Sequence, residues 1–279
     1  MEDSILAPYT TSDGENVAIH DWPVDSDANL RGVVLLVHGL GEHAGRYRHV
    51  AEKLNEWGFA VRGYDQYGHG ESSGIQGHLP TEDRLLADLA EIVEMTRRKM
   101  GQKLPLILLG HSMGGVVAAR LVSMMPRSVD GLVLSSPALI PALSGLQSLL
   151  LSLMLKIAPD FPIGNGIDPT WISHDLDVVR AYETDRRVHN RVSARLVKFM
   201  QTAGLQTLAL APQWKVPTLL LYAGEDRLVN PEGSRLMADA LTSDVGAAHC
   251  YAGMYHEIFN EIGREMVFED LRKWLEARF

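Results

Sequence analysis

Gly110-His111-Ser112-Met113-Gly114 lies between the apolar run Leu104-Pro105-Leu106-Ile107-Leu108-Leu109 and the helix-forming run Val116-Val117-Ala118-Ala119-Arg120-Leu121. A buried strand that enters a helix through G-x-S-x-G turns so sharply that side chains at the two flanking positions would collide, and both are glycine. The turn directs the Ser112 hydroxyl outward at a helix N-terminus, where developing negative charge is favoured. The stretch predicts a strand–turn–helix unit with a candidate nucleophilic serine at its apex.

Outward from this unit, strand and helix alternate. Residues 9–22 read as a hairpin turned by Ser12-Asp13-Gly14. Strands are expected at 32–37, 59–64, 104–109, 129–135, 216–222 and 247–251. Helices are expected at 47–57, stopped by Gly58, at 81–100 with Thr81 as cap, at 113–124 and at 263–279. The fold class is α/β, with a mostly parallel central sheet flanked by helices. Residues 138–212 break the alternation, with several helical stretches and no convincing strand. They read as a helical cap inserted into a core of residues 1–137 and 213–279.

Composition narrows the function. The 279 residues suffice for one large α/β domain or two small ones. A net charge of −9 leaves no basic footprint for nucleic acid. It also opposes broad attachment to anionic membranes, while a local apolar patch stays open. Cys250 is the only cysteine, so no intrachain disulfide forms and a reducing compartment fits. No Cys/His cluster has zinc-ligand spacing, and no metal or cofactor is expected. The acidic start Met1-Glu2-Asp3-Ser4 leads into no long apolar run, so a secretory signal is not expected and the reading is cytoplasmic. Residues 131–155 lack Asp, Glu, Lys and Arg, but Pro137, Pro141, Gly145 and Gln147 interrupt them. A core strand followed by a separate apolar helix explains the stretch better than a membrane span.

A serine hydroxyl needs a base, and the base an orienting acid. Both should follow strands, at their carboxyl ends. Asp226 follows the run 216–222 and is preferred over its neighbour Glu225. Asp65 also follows a strand but precedes the serine, and reads as a loop-stabilising acceptor. Among eleven histidines, His256 lies between the last strand and the last helix, whereas His249 lies within the strand and should pack or face solvent. Ser112, Asp226 and His256 are thus the candidate triad for acyl transfer. Backbone N–H groups of Met113 and of Leu40, in His38-Gly39-Leu40-Gly41, are the candidate oxyanion donors.

These motifs resemble one family. His38-Gly39-Leu40-Gly41-Glu42-His43-Ala44-Gly45-Arg46-Tyr47 resembles the H-G-x-G-E-H-x-x-R-Y signature of the monoacylglycerol lipases of the α/β-hydrolase fold. Asp65-Gln66-Tyr67-Gly68-His69-Gly70-Glu71-Ser72-Ser73-Gly74 is similar to their D-x-x-G-H-G-x-S-x-G loop, and Gly110-His111-Ser112-Met113-Gly114-Gly115 to their elbow. Asp226-Arg227-Leu228 and Tyr255-His256 match the acid and base segments. The resemblance implies a small-molecule lipid ester substrate, cleaved to fatty acid and glycerol. It implies a polar network of Glu42, His43 and Arg46 near the alcohol, with Tyr182 of the cap offering a hydroxyl. The residues alone also allow Tyr182 to pack under the cap and Glu42–Arg46 to be a structural ion pair. Two departures stand out: Val229 replaces a cysteine of the animal enzymes, and Asp185-Arg186 replaces Asp-Pro.

In the cap, Leu146, Leu149, Leu150, Leu153 and Ile157 recur at helical spacing, with Leu151, Met154 and Leu155 filling much of the remaining face. Such a helix lines an acyl tunnel, touches a membrane or micelle, or both. Arg180, Glu183, Arg186, Arg187, Arg191 and Arg195 read as a solvated face. Lysophospholipase or general carboxylesterase activity would use the same triad. A non-catalytic binding protein would have no need of it, and epoxide hydrolases and haloalkane dehalogenases need a carboxylate at the position of Ser112.

Overall fold

Val33-Val34-Leu35-Leu36-Val37 is apolar at every position because the strand it forms is covered on both faces. A computed structural model of the protein describes residues 4–24, 30–101, 103–140 and 145–279, apart from the side chains of 146 and 148. Val33, Leu35 and Val37 join one buried cluster, and Val34 and Leu36 another. Leu106, Leu108, Leu132, Leu134 and Leu220 follow the first set, while Ile107, Leu109, Val133, Leu219 and Leu221 follow the second. The two-residue period of a strand divides each run between two cores.

The chain opens with the antiparallel hairpin β1 (Ile5–Thr10) and β2 (Asn16–Trp22). It continues through β3 (Gly32–Val37), α1 (Arg48–Glu56), β4 (Phe59–Tyr64), α2 (Arg84–Met100), β5 (Leu106–His111), α3 (Met113–Met124) and β6 (Gly131–Ser135). Next come α4 (Gly145–Ile157), β7 (Ile163–Gly164), α5 (Leu176–Thr184), β8 (Arg191–Val192) and α6 (Ala194–Leu210). Strands β9 (Thr218–Ala223) and β10 (Gly246–Tyr251) then alternate with α7 (Glu232–Ala240) and α8 (Glu265–Arg278). The eight-stranded sheet runs β1-β2-β4-β3-β5-β6-β9-β10. From β4 to β10 neighbouring strands are parallel, and β2 joins β4 antiparallel. Residues of α2, α3 and α6 complete one core, and residues of α1 and α8 the other.

Register brings the loops that matter to one edge. Val37 pairs with Gly110, Gly110 with Leu134, Ser135 with Leu221 and Ala223 with Tyr251. The segments after β3, β5, β9 and β10 therefore all leave the carboxyl edge of the parallel strands.

The elbow glycines are required by close approach. A Cβ on Gly110 would lie 2.5 Å from the Gly114 carbonyl oxygen, and one on Gly114 would lie 2.1 Å from that of Val37. Only a bare Cα lets α3 start against the end of β3.

Several boundaries differ from the sequence expectation. The helix expected from Thr81 begins at Arg84, and Thr81 contributes its backbone carbonyl to the Arg84 N–H at 3.3 Å, not a side-chain cap. The strand expected from 216 starts at Thr218, because Pro217 has no N–H for the ladder. The segment read as strand-free carries the short ladder β7–β8, Ile163 opposite Val192, too brief to leave a periodic pattern. Met1-Glu2-Asp3 and Pro141 lie outside the described residues, as does the side chain of Leu146.

Candidate active site

Ser112 joins β5 to α3 with φ 53° and ψ −118°, a strained geometry for a residue with a side chain. Its own N–H donates to the Ser135 carbonyl at 3.0 Å, and its carbonyl accepts from Val116 at 3.2 Å and Ala138 at 3.1 Å. Three elements thus hold the strain in place. The loop after β3 passes so close that a Cβ on Gly39 would sit 3.3 Å from the Ser112 Cβ. The Gly39 N–H is already used, donating to Glu42 Oε1 at 2.6 Å. Leu40, Ser112 and Met113 all line one cavity of about 340 Å³. Met113 is the first residue of α3, where a backbone N–H has no intrahelical acceptor.

His256 lines the same cavity. Its Nδ1 lies 2.6 Å from Asp226 Oδ2, and Asp226 Oδ1 accepts the backbone N–H groups of Leu228 (2.9 Å) and Val229 (3.0 Å). Burial disfavours the imidazolium, but the charge and hydrogen bond of Asp226 outweigh it, and the His256 pKa is raised above its ordinary value. Burial also works against the Asp226 carboxylate, and His256 with the two N–H donors outweighs that, so its pKa is lowered. The neighbouring Glu225 is exposed. His249 is exposed on β10, 3.5 Å from Asp270. Asp65 accepts from Ala44 N at 2.8 Å and Glu71 N at 2.9 Å, which ties two loops together.

The sequence reading missed two neighbours of His256. His111 packs its ring against His256 with centroids 4.7 Å apart. Burial, and then the charge of His256, push the His111 pKa down to about 4, so it stays neutral there. Glu257 follows the candidate base, and only its position beside His256 could have singled it out.

Glu257 closes a buried ionic chain. Arg46 Nη1 and Nη2 donate to its two oxygens, each at 2.7 Å, and Arg46 Nη1 also donates to Glu42 Oε2 at 2.5 Å. Glu42 Oε1 accepts from the Tyr47 hydroxyl at 2.6 Å. Burial raises the Glu42 pKa, but Arg46 and neighbouring histidines overcome it, leaving a value of about 2. The Arg46 guanidinium lies 4.8 Å from the Tyr182 ring centroid. Glu42, Tyr182 and Glu257 line the cavity. Arg46 and His43 are not on its wall. Arg46 is clamped between two carboxylates behind it, and buried His43 reaches Asp185 at 2.9 Å.

The segment between β6 and β9 is bonded to the core loops at this polar side. His189 N donates to the Gly41 carbonyl at 2.8 Å, Ser193 N to Gly77 at 2.7 Å and Glu257 N to Ile172 at 2.8 Å. Ala138, Val197, Met200 and Val229 give the cavity an apolar wall. Of the residues read as a solvated face, Arg195 is half-buried, bonded to Asp160 and to the Pro80 carbonyl, and the other five are exposed. Among the described residues no His/Cys/Asp/Glu group is placed to hold a metal ion.

The sequence matches the family described as serine aminopeptidase, S33, over residues 28–263. It is 35% identical to a monoacylglycerol lipase of Mycolicibacterium smegmatis, covering 94% of this chain and 93% of that one. It is 32% identical to phospholipase YtpA of Bacillus subtilis, covering 91% and 98%. A Dictyostelium discoideum abhydrolase domain-containing protein matches 99% of the chain at 34% identity, and the chain spans 29% of that protein's length. The crystal structure of Paleococcus ferrophilus monoacylglycerol lipase superposes with a TM-score of 0.84 at 32% identity, covering 94% and 99%. Sheet, inserted helices and relatives together define an α/β-hydrolase-fold enzyme, a carboxylic ester hydrolase. Within that fold, the chain belongs to the monoacylglycerol lipase family.

Removing Arg46 leaves two buried carboxylates without their shared cation. Arg46→Met is expected to lower stability by about 3–5 kcal/mol at neutral pH. The folded-state Glu42 pKa is depressed from 4.5 to about 2, so the ionic stabilisation is complete above 4.5 and fades as pH falls toward 2. Denaturant melts of both proteins at pH 7 and pH 3.5 measure this, and the gap should narrow at the lower pH.

Proposed function

We propose that the protein hydrolyses monoacylglycerols to fatty acid and glycerol through an acyl-enzyme on Ser112. The observation that carries this reading is one cavity with Ser112 and His256 on its wall, polar groups of Glu42 and Tyr182 beside them, and an apolar wall for a chain. His256 takes the Ser112 proton as the hydroxyl attacks the ester carbonyl. Asp226 fixes the tautomer of His256 and stabilises the imidazolium. The N–H groups of Leu40 and Met113 receive the oxyanion. His256 then protonates the departing glycerol oxygen, and water releases the fatty acid by the same steps.

In this reading residues 138–212 act as a cap on a core of 1–137 and 213–279, and Tyr182 contacts the glycerol head. Helix α4 supports a transient contact with a membrane or micelle. Its stripe Leu149, Leu150, Leu153 and Ile157 is exposed, Leu149 by 69% and Ile157 by 71%, while Leu151, Met154 and Leu155 are half-buried. Among the described residues no helix is long and apolar enough to cross a membrane. Lysophospholipid hydrolysis is the second reading, favoured by the likeness to a phospholipase.

A panel at fixed acyl length separates the two. The expected order of kcat/KM places monoacylglycerol above di- and triacylglycerol and lysophosphatidylcholine, and a higher value for the lysophospholipid would transfer the assignment to the second reading. Ser112→Ala should lower turnover of every ester by at least about 10⁴-fold with the fold retained. Near wild-type hydrolysis by that variant would remove Ser112 as nucleophile.

His256 must be neutral to act as base. Because its pKa is raised, the acid limb of kcat/KM should have its midpoint above 6.5, with activity lost as pH falls through it. Asp226→Asn should move that midpoint down and reduce kcat by about 10⁴-fold. A wild-type midpoint at or below 6.5 would contradict the His256–Asp226 coupling.

A further inference from the structure

Asn165 follows β7 directly, and its side chain is held in one orientation. The backbone N–H of Asn165 donates to the Asn190 carbonyl at 2.8 Å, which fixes it beside β8. Its side-chain Oδ1 accepts the Ile167 N–H at 3.0 Å, closing a small turn. That bond settles which end of the amide points away from the turn: the Nδ2 donor. Nδ2 is buried, has no hydrogen-bond partner among the described residues, and Asn165 is on the cavity wall. A buried amide donor without an acceptor is unfavourable, and sites of this kind are satisfied by what binds there.

The place of Asn165 on the cavity wall identifies the acceptor. A Cβ on Gly41 would lie 3.5 Å from Asn165 Nδ2, so the donor stands over the loop that carries Leu40 and Glu42. Glu42 belongs to the ionic chain that reaches Tyr182 through Arg46. Asn165 therefore lies on the polar side with Glu42 and Tyr182, whereas an acyl chain has no group beyond its carbonyl that could accept from it.

We propose that Asn165 determines specificity for the alcohol, its Nδ2 donating a hydrogen bond to a free hydroxyl oxygen of the polyol leaving group. This rests on the monoacylglycerol reading and extends it to a cap residue outside the family motifs. Glu42 and Glu257 are acceptors, so an unsubstituted polyol, whose hydroxyls both donate and accept, can engage acceptor and donor together. An ester of a simple alkanol leaves Nδ2 as unpaired as it is in the free protein, so only the polyol ester gains the hydrogen bond and the preference follows from that gain.

The test compares kcat/KM for a monoacylglycerol with that for the methyl ester of the same acid, in the wild type and two variants. Asn165→Ala removes both the turn acceptor and the donor. Asn165→Ser keeps a hydroxyl that can accept from Ile167 N–H but is too short to reach into the cavity. Each variant is expected to lower the glycerol-ester to methyl-ester ratio by about tenfold, whatever loss the two esters share. An equal loss on both esters would reduce Asn165 to a holder of the turn and overturn the proposal. So would an unchanged ratio in Asn165→Ser beside a wild type that prefers the glycerol ester. A wild type with no preference between the two esters would instead overturn the monoacylglycerol reading itself, and the Asn165 proposal with it.

Discussion

The first turn of α3 presses directly on the end of β3, and everything at the carboxyl edge of the sheet is arranged around that contact. Gly114 has no side chain, so the carbonyls of Val37 and His38 can come where a Cβ would otherwise be. The loop after β3 is thereby drawn under Ser112, and Gly39 repeats the device from the other side. Strain at Ser112 is the cost of this crowding, with a positive φ on a residue that is not glycine. It is held by bonds to β6 and to the segment just after it, so the sheet's own register fixes the serine. A loosely built turn could not keep Ser112 on the cavity wall that it shares with His256.

The second layer is electrostatic. Glu42, Arg46 and Glu257 form a buried chain in which one cation serves two carboxylates, and it extends from the loop after β3 to the residue after His256. Charges withdrawn from water in this way gain little net stability, yet losing one member leaves the others exposed to a low-dielectric surround. The chain therefore specifies geometry more than it adds stability. It keeps the Gly39 N–H occupied and the Glu42 carboxylate fixed, while Leu40 remains on the cavity wall.

Most of the architecture was legible because buried parallel strands have a simple signature. Runs such as 32–37 and 104–109 are apolar throughout, and the glycines of the elbow have one steric explanation. Asp226 and Glu225 were separable by motif, and the structure brings the Asp226 carboxylate, 2.6 Å away, to His256. What the sequence concealed is long-range. Glu257 meets Arg46 from 211 residues away, and no local pattern encodes that pairing. The resemblance implied a polar network of Glu42, His43 and Arg46 near the alcohol, but not its partners: in the fold His43 bonds Asp185, and Arg46 lies between the carboxylates of Glu42 and Glu257. The β7–β8 ladder is two residues long on each side, below what periodicity can register.

The bonds between the inserted segment and the core are unevenly distributed. Gly41, His43, Gly77 and Glu257 are each fastened to it, all through backbone or buried polar groups, whereas α4 turns a stripe of leucines outward. These bonds tie the segment to the loop that carries Leu40 and to the residue after His256. A displacement of the segment at these bonds is therefore also a displacement of the backbone around Leu40.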